Sequence, residues 1–172
     1  METKLDVAVR QLTMDEVQAF RDCRAEGLKV YPEAFGEDYD EFMAKPLDEI
    51  AKRLDPADGA FILGAFLNNQ LVGLIGHLRK PGKKNRHQAI IWGVYVTGSQ
   101  QGTGLGRKLM EAAVAKSRAI GDVEELQLTV ITCNTGAIAL YESLGFKTYG
   151  VEPKALKLGT DYYDEALMHL PL

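Results

Sequence analysis

Residues 7–10 are a short apolar-rich run that fits a first strand. Thr13 stands three residues before Glu16, the spacing of a capping box, and predicts a helix from there to about Glu26, with Gly27 as its stop. The pattern then breaks. Residues 31–58 read as irregular, with only 46–54 resembling a short helix. Strand-like runs return at 60–67 and 71–79. Between them Asn68-Asn69 suits a two-residue hairpin turn, because Asn tolerates positive φ. Residues 80–87 form a polar, basic turn. Residues 89–96 are apolar on both faces, with Ile91 and Tyr95 opposite Ile90, Trp92, Val94 and Val96, which marks a central strand.

A glycine-rich turn follows, and then a helix over about 104–119. Its buried stripe is Leu105, Leu109, Ala112, Ala113 and Ile120. Residues 126–131 read as another strand, and the order strand, helix, strand implies a right-handed crossover and a parallel pair. A second helix over 135–144 carries Ala137, Leu140, Tyr141 and Leu144 on one face. Gly145 ends it, and Phe146 supplies the accompanying apolar contact. Runs at 146–151 and 162–170 fit a closing antiparallel hairpin. The expected fold is α/β, one domain over 1–172, with a mixed central sheet of about six to seven strands flanked by helices.

Composition narrows the function classes. A chain of 172 residues fills one core and is short for two ordinary domains. Its net charge of −4 argues against a general nucleic-acid binder but leaves room for a local anion site. Cys23 and Cys133 have no zinc-like spacing and read as reduced thiols. The first six residues lack the apolar stretch of a secretory leader, and no apolar run approaches the roughly 20 residues that span a bilayer. The expectation is a cytoplasmic protein with no metal and no membrane or nucleic-acid partner; a homodimer stays open.

The stretch Gln101-Gly102-Thr103-Gly104-Leu105-Gly106 carries the most chemistry. It lies between a buried strand and an amphipathic helix. Small residues there let backbone N–H groups approach a ligand, and the helix start with its dipole favours an anion. Arg107 and Lys108 add positive charge, so a phosphate or pyrophosphate fits. A turn needing glycine only for packing is the plain alternative. A P-loop fails for want of Gly-Lys-Ser/Thr. A dinucleotide fingerprint would need an acid at the end of the next strand, where Cys133-Asn134 stands.

The Gln-x-x-Gly-x-Gly pattern at 101–106, following Val94-Tyr95-Val96, resembles the coenzyme A signature of the GNAT N-acetyltransferase superfamily, small bacterial type. Asn134, Ala137, Tyr141 and Gly145-Phe146 resemble the family's second signature. Tyr162-Tyr163-Asp164 with Met168 is similar to its final strand, and Ala34-Phe35-Gly36 to its first inter-helix loop. This resemblance implies two splayed parallel central strands with the pantetheine arm of acetyl-CoA between them. It implies backbone bonds at Val94, Tyr95 and Val96, and amides from Gln101, Gly102, Thr103, Gly104, Leu105, Gly106 and Arg107 around the pyrophosphate. Asn134 would bond to the cofactor arm, and Tyr141 would stand near the sulfur as general acid. The implied reaction is direct attack by a primary amine, of a small molecule or a protein, in a ternary complex.

Each residue also has a plainer reading. Asn134 is a natural helix N-cap, and Tyr141 lies on an apolar stripe. Trp92 and Tyr95 read as core or pocket walls. His77 and His87 read as surface or strand-end residues, the basic run 79–86 as a solvated turn, and Cys133 as buried. The acidic residues of 31–58, among them Glu33, Glu37 and Asp38, read as surface. In the resembling family this segment borders the acceptor site, which would suit a cationic acceptor. The strand at 89–96 has no glutamate to act as base, leaving a water chain, His77 or a carboxylate from 33–41. A non-catalytic acyl-CoA sensor and a nucleotide-binding oxidoreductase are the rival classes.

Overall fold

Asn68 and Asn69 take φ of 49° and 65°, the left-handed conformation that a tight hairpin turn demands. They join β2 (Phe61–Leu67) to β3 (Gln70–Arg79) in an antiparallel pair, and β1 (Val7–Gln11) lies on the outer edge of β2. β4 (Gln88–Val96) is antiparallel to β3, and β5 (Glu125–Ile131) runs parallel to β4. The hairpin of β6 (Lys147–Leu158) and β7 (Asp161–Pro171) closes the sheet through β7, giving the order β1-β2-β3-β4-β5-β7-β6. The computed structural model describes residues 7–172, so the reading of the first six residues lies outside it. No helix among the described residues is long and apolar enough to cross a membrane.

Two apolar cores flank this mixed seven-stranded sheet. One face packs against α4 (Leu105–Ile120) and α5 (Thr135–Ser143) around Ile75, Ala89, Leu109, Leu126 and Met168. The other packs against α1 (Val17–Val30), α2 (Tyr39–Ala44) and α3 (Leu47–Ala51) around Leu12, Phe20, Phe42, Ile50 and Leu74. The capping box at Thr13 and Glu16 is present and opens a 3-10 turn that runs into α1. Gly27 does not stop α1. A Cβ there would come within 3.0 Å of the Tyr95 ring, so glycine serves close helix-on-strand packing. The helix ends at Tyr31, where Pro32 disfavours a helical residue before it.

Several local expectations change. α2 lies in a stretch read as irregular, with Asp38 capping it by accepting from the Glu41 N–H. His77 is buried, 1% exposed, and stacked on Phe61. Arg79 is not in a solvated turn: it is a buried residue of β3 that donates to the Arg86 carbonyl and pairs with Asp122. The closing strands are longer than 146–151 and 162–170, because a bulge at Lys154 lets β6 bend and keep pairing.

Candidate active site

β4 and β5 pair only from Gln88–Ile90 to Glu125–Gln127. Past that point β4 stays with β3 as far as Val96, and β5 stays with β7 as far as Ile131, so a gap opens between them. Gly93 takes φ 63° beside a register shift in β4 and bends the strand where the gap begins. The Thr97 N–H bonds to the Val72 carbonyl on the β3 side. Strand alternation therefore turns the N–H groups of Val96 and Val94 toward the gap.

The glycine turn stands at the open end. Gly102 and Gly104 have φ of 75° and 85°, and a Cβ built on either meets no heavy atom within 4 Å. No side chain caps the start of α4, and its first intrahelical bond runs from the Lys108 N–H to the Gly104 carbonyl, so the amides before it are left unpaired. Thr103 ties the turn by donating to the Gln100 carbonyl. Leu105 turns its side chain into the core, leaving its backbone on the turn. Gln101 donates to the Val96 carbonyl and bonds the Tyr31 hydroxyl, linking the end of α1 to the tip of β4. Arg107 donates to Ser143 at 2.6 Å and so braces α4 against α5.

On the far side of the gap, Asn134 accepts from the Ala137 N–H and caps α5. Tyr141, about two turns further along α5, is buried against Phe146. Burial pushes its hydroxyl up to about 12, which keeps it protonated. It lines a cavity of about 80 Å3 with Gly93, Val94, Ile131 and Asn134. Phe35, Val94, Ile131 and Asn134 also line a larger cavity of about 440 Å3, which Tyr31, Glu33 and Gln101 border. The structure therefore gathers Val94, Tyr95, Val96, Gln101, Asn134 and Tyr141 on two cavities sharing one wall. Cys133 is exposed on the larger cavity, because it precedes the helix cap instead of lying under it.

A family model described as the acetyltransferase (GNAT) family matches residues 21–146. The chain belongs to that family. GNAT enzymes take their acyl group from acetyl-CoA. Among solved structures, an acetyltransferase of the GNAT family from Streptococcus pneumoniae is 23% identical, with a TM-score of 0.88 over 97% of this chain and 100% of that one. A ribosomal-protein-alanine N-acetyltransferase from Brucella melitensis is 23% identical, with a TM-score of 0.84 over 96% and 99%. A Salmonella typhimurium protein solved with its cofactor acetyl-CoA is 22% identical, with a TM-score of 0.82 over 97% and 94%. At these identities the likeness is one of fold. The mycothiol acetyltransferase of Thermobispora bispora is 45% identical over 62 residues, 34% of this chain and 21% of that protein; the match to its Streptosporangium roseum counterpart covers 18% of that protein. The chain thus spans about a fifth of the length of the curated relatives it matches.

Within this GNAT domain, the sequence reading took the acids of 31–58 as surface while allowing a carboxylate from 33–41 as base, and it singled out neither Tyr31 nor Arg24. Tyr31 meets Gln101 across the mouth. Glu33, read as a surface acid, borders the larger cavity. Arg24 is buried at 5% exposure, with Nη2 3.3 Å from Glu37 and its guanidinium over the rings of Phe35 and Trp92. Burial lowers its pKa against the raising pull of Glu37. A signal existed: Phe20, Arg24 and Leu28 are four apart, which puts a charge on the buried stripe of α1. Burial raises the Glu37 carboxyl, but hydrogen bonds from Arg53 and Lys45 outweigh it and hold the group at about 2. His77 is removed from the cavities at the gap. Its Nδ1 meets the Gly59 carbonyl at 3.1 Å behind Phe61, and burial pushes its pKa down to about 4.

Proposed function

We propose that the chain is an N-acetyltransferase that passes the acetyl group of acetyl-CoA to a primary amine by direct attack in a ternary complex. The observation that carries this reading is the gap between β4 and β5, with bare amides at its mouth and Tyr141 inside it. Bound acetyl-CoA supplies an activated thioester carbonyl. The chain supplies the rest. The N–H groups of residues 102–107 hold the diphosphate at the positive end of α4. The Val94 N–H faces the gap beside the Gly93 bend, where it donates to the carbonyl oxygen as charge develops there, an effect worth roughly 3 kcal/mol per donor. Tyr141, a phenol that is protonated at neutral pH, protonates the departing sulfur and takes back the second proton that the acylated nitrogen loses. Glu33, bordering the larger cavity, receives the ammonium proton, directly or through one water. Asn134 keeps a free amide N–H2 toward the cofactor arm while its oxygen caps α5.

Catalysis is favoured over a sensor role because Tyr141 is present and lines the cavity at the gap. The test is acetyl-CoA-dependent thiol release across an amine panel, with coenzyme binding measured in parallel. Turnover is expected, and Tyr141→Phe should lower kcat about 100-fold or more while the coenzyme Kd stays within about threefold. Binding without turnover on any amine supports the sensor instead. An unchanged kcat in Tyr141→Phe removes its role as acid.

A further inference from the structure

Arg24, Lys45 and Arg53 all converge on one carboxylate, that of Glu37. Among the described residues no second acid lies within ion-pair distance of any of the three, which leaves a local surplus of two positive charges. Lys45 and Arg53 are partly exposed and can hand their surplus to water. Arg24 cannot. It is nearly fully buried, its Nε has no hydrogen-bond partner, and its one ion pair is long at 3.3 Å. A buried cation with a donor left empty is costly. A purely structural pair with Glu37 would need only one of the three cations.

The position of Arg24 gives that cost a use. Its Nη1 lies 3.1 Å from where a Cβ on Gly93 would sit, against the bend at the start of the gap. Phe35 and Trp92, which flank the guanidinium, line the small cavity that Tyr141 also lines. Across the shared wall, Glu33 offers a negative charge in the larger cavity. Positive charge at the bend and negative charge beside it match a molecule that is itself a zwitterion.

We propose that the acceptor is a small amine carrying a carboxylate close to its nitrogen, as in an α-amino acid, and that Arg24 receives that carboxylate beside Gly93. This rests on the acetyl-transfer reading and names its substrate class. A carboxylate held at the bend sets the neighbouring amine against the carbonyl in the gap, so one ion pair both selects and orients the acceptor. The surplus charge on Lys45 and Arg53 strengthens the same field from behind.

The test compares matched acceptors: glycine, leucine, methionine, glutamate and lysine, each against its amide. The amide's amine loses its proton more readily, so amine basicity works against the expected result. For at least one pair the acid should show a kcat/KM roughly 10- to 100-fold above its amide, the range of a charge-assisted hydrogen bond. In Arg24→Gln that ratio should fall toward one, and Arg24→Lys should restore part of it. Loss of both members of a pair by the same factor, which a merely structural role would give, overturns the proposal, as does a preference for amides in the wild type. The wild-type comparison decides alone if Arg24→Gln does not fold.

A second readout needs no turnover. Trp92 is the chain's single tryptophan and lies 5.7 Å from the Arg24 guanidinium. With coenzyme A present, its emission should respond to an acid at lower concentration than to the matching amide. That response without thiol release keeps the anion site and overturns acetyl transfer. Thiol release with no preference for the acid keeps acetyl transfer and overturns the anion site.

Discussion

His77 is held in a place that suits only a neutral ring. It lies flat on Phe61 with the ring centroids 4.3 Å apart, and the Gly59 carbonyl fixes its proton on Nδ1. Burial lowers its pKa to about 4, with Arg79 and Lys116 adding to the effect and the Gly59 bond opposing it. An unfolded histidine binds its proton near 6.5. Between about pH 6.5 and about 4 the unfolded chain therefore carries the extra proton. Stability should be full above 6.5 and fall as the pH drops through that window, by on the order of 3 kcal/mol in all. Glu37, held at about 2, contributes stability that is lost only below the ordinary carboxylate range. Urea midpoints followed from pH 7 to 5 should thus decline in the wild type and stay flat in His77→Phe, which keeps a ring on Phe61. Parallel curves would mean another group titrates. Sequence hid this residue because Leu78, its neighbour, is half exposed while His77 faces a core. Its partner, Gly59, comes from a 3-10 turn whose Asp58 and Gly59 both take positive φ, and no local pattern announces that turn.

Two glycines show how differently one residue type serves an element. At Gly104, the N-cap of α4, a Cβ meets nothing, yet φ is 85°. Gly104→Val should cost about 1–2 kcal/mol in backbone strain and put a branched side chain beside the unpaired amides. Coenzyme A binding should be lost while the thermal unfolding transition remains cooperative; a variant that binds as the wild type does would show that the diphosphate lies elsewhere. At Gly76 in β3 the reverse holds. A Cβ there runs into the Trp92 indole. Gly76→Ala should lower Tm and red-shift Trp92 emission as the ring is driven out. The difference explains what could be read in advance. The glycine turn works through its backbone, so its order after a buried strand and before an amphipathic helix was enough to find it, as were Asn68-Asn69 and Gly145. The wall of the larger cavity nearest α1 is built from contacts between α1, the 3-10 turn at Pro32–Ala34 and β4, residues some 60 to 70 apart, such as Tyr31 with Gln101 and Glu26 with Tyr95. No window of sequence contains both partners, so Tyr31 stayed out of sight and Glu33 was only one of several candidate acids, whereas Arg24 left a local trace as a charge on the apolar stripe of α1.

At the scale of the molecule, the sheet is two half-sheets joined by a short seam. β1 to β4 form one half, and β5, β7 and β6 the other, and only Gln88–Ile90 pairs with Glu125–Gln127 between them. Each half has strong internal pairing and a share in the core under α4, so the seam need not bear the load of stability. What it leaves unpaired is the gap-facing edge of β4. Backbone groups on an open edge normally bond to water or to a ligand, and here they lie beside the cavity that Tyr141 lines. Coenzyme A laid in the gap would act as the missing strand for that edge. Hydrogen exchange tests this at single amides. With coenzyme at about 100 times its Kd, the amides of Val94 and Val96 and those of residues 102–107 should slow by up to about 100-fold, the factor by which ligand release must precede exchange. Amides of the β6–β7 hairpin have no part in the gap, and those that exchange by local opening should keep their rates. Slowing at 102–107 with none at Val94 or Val96 would place the diphosphate correctly but leave the arm outside the gap. Equal slowing everywhere would indicate general stabilisation, in which the parting of β4 from β5 plays no role.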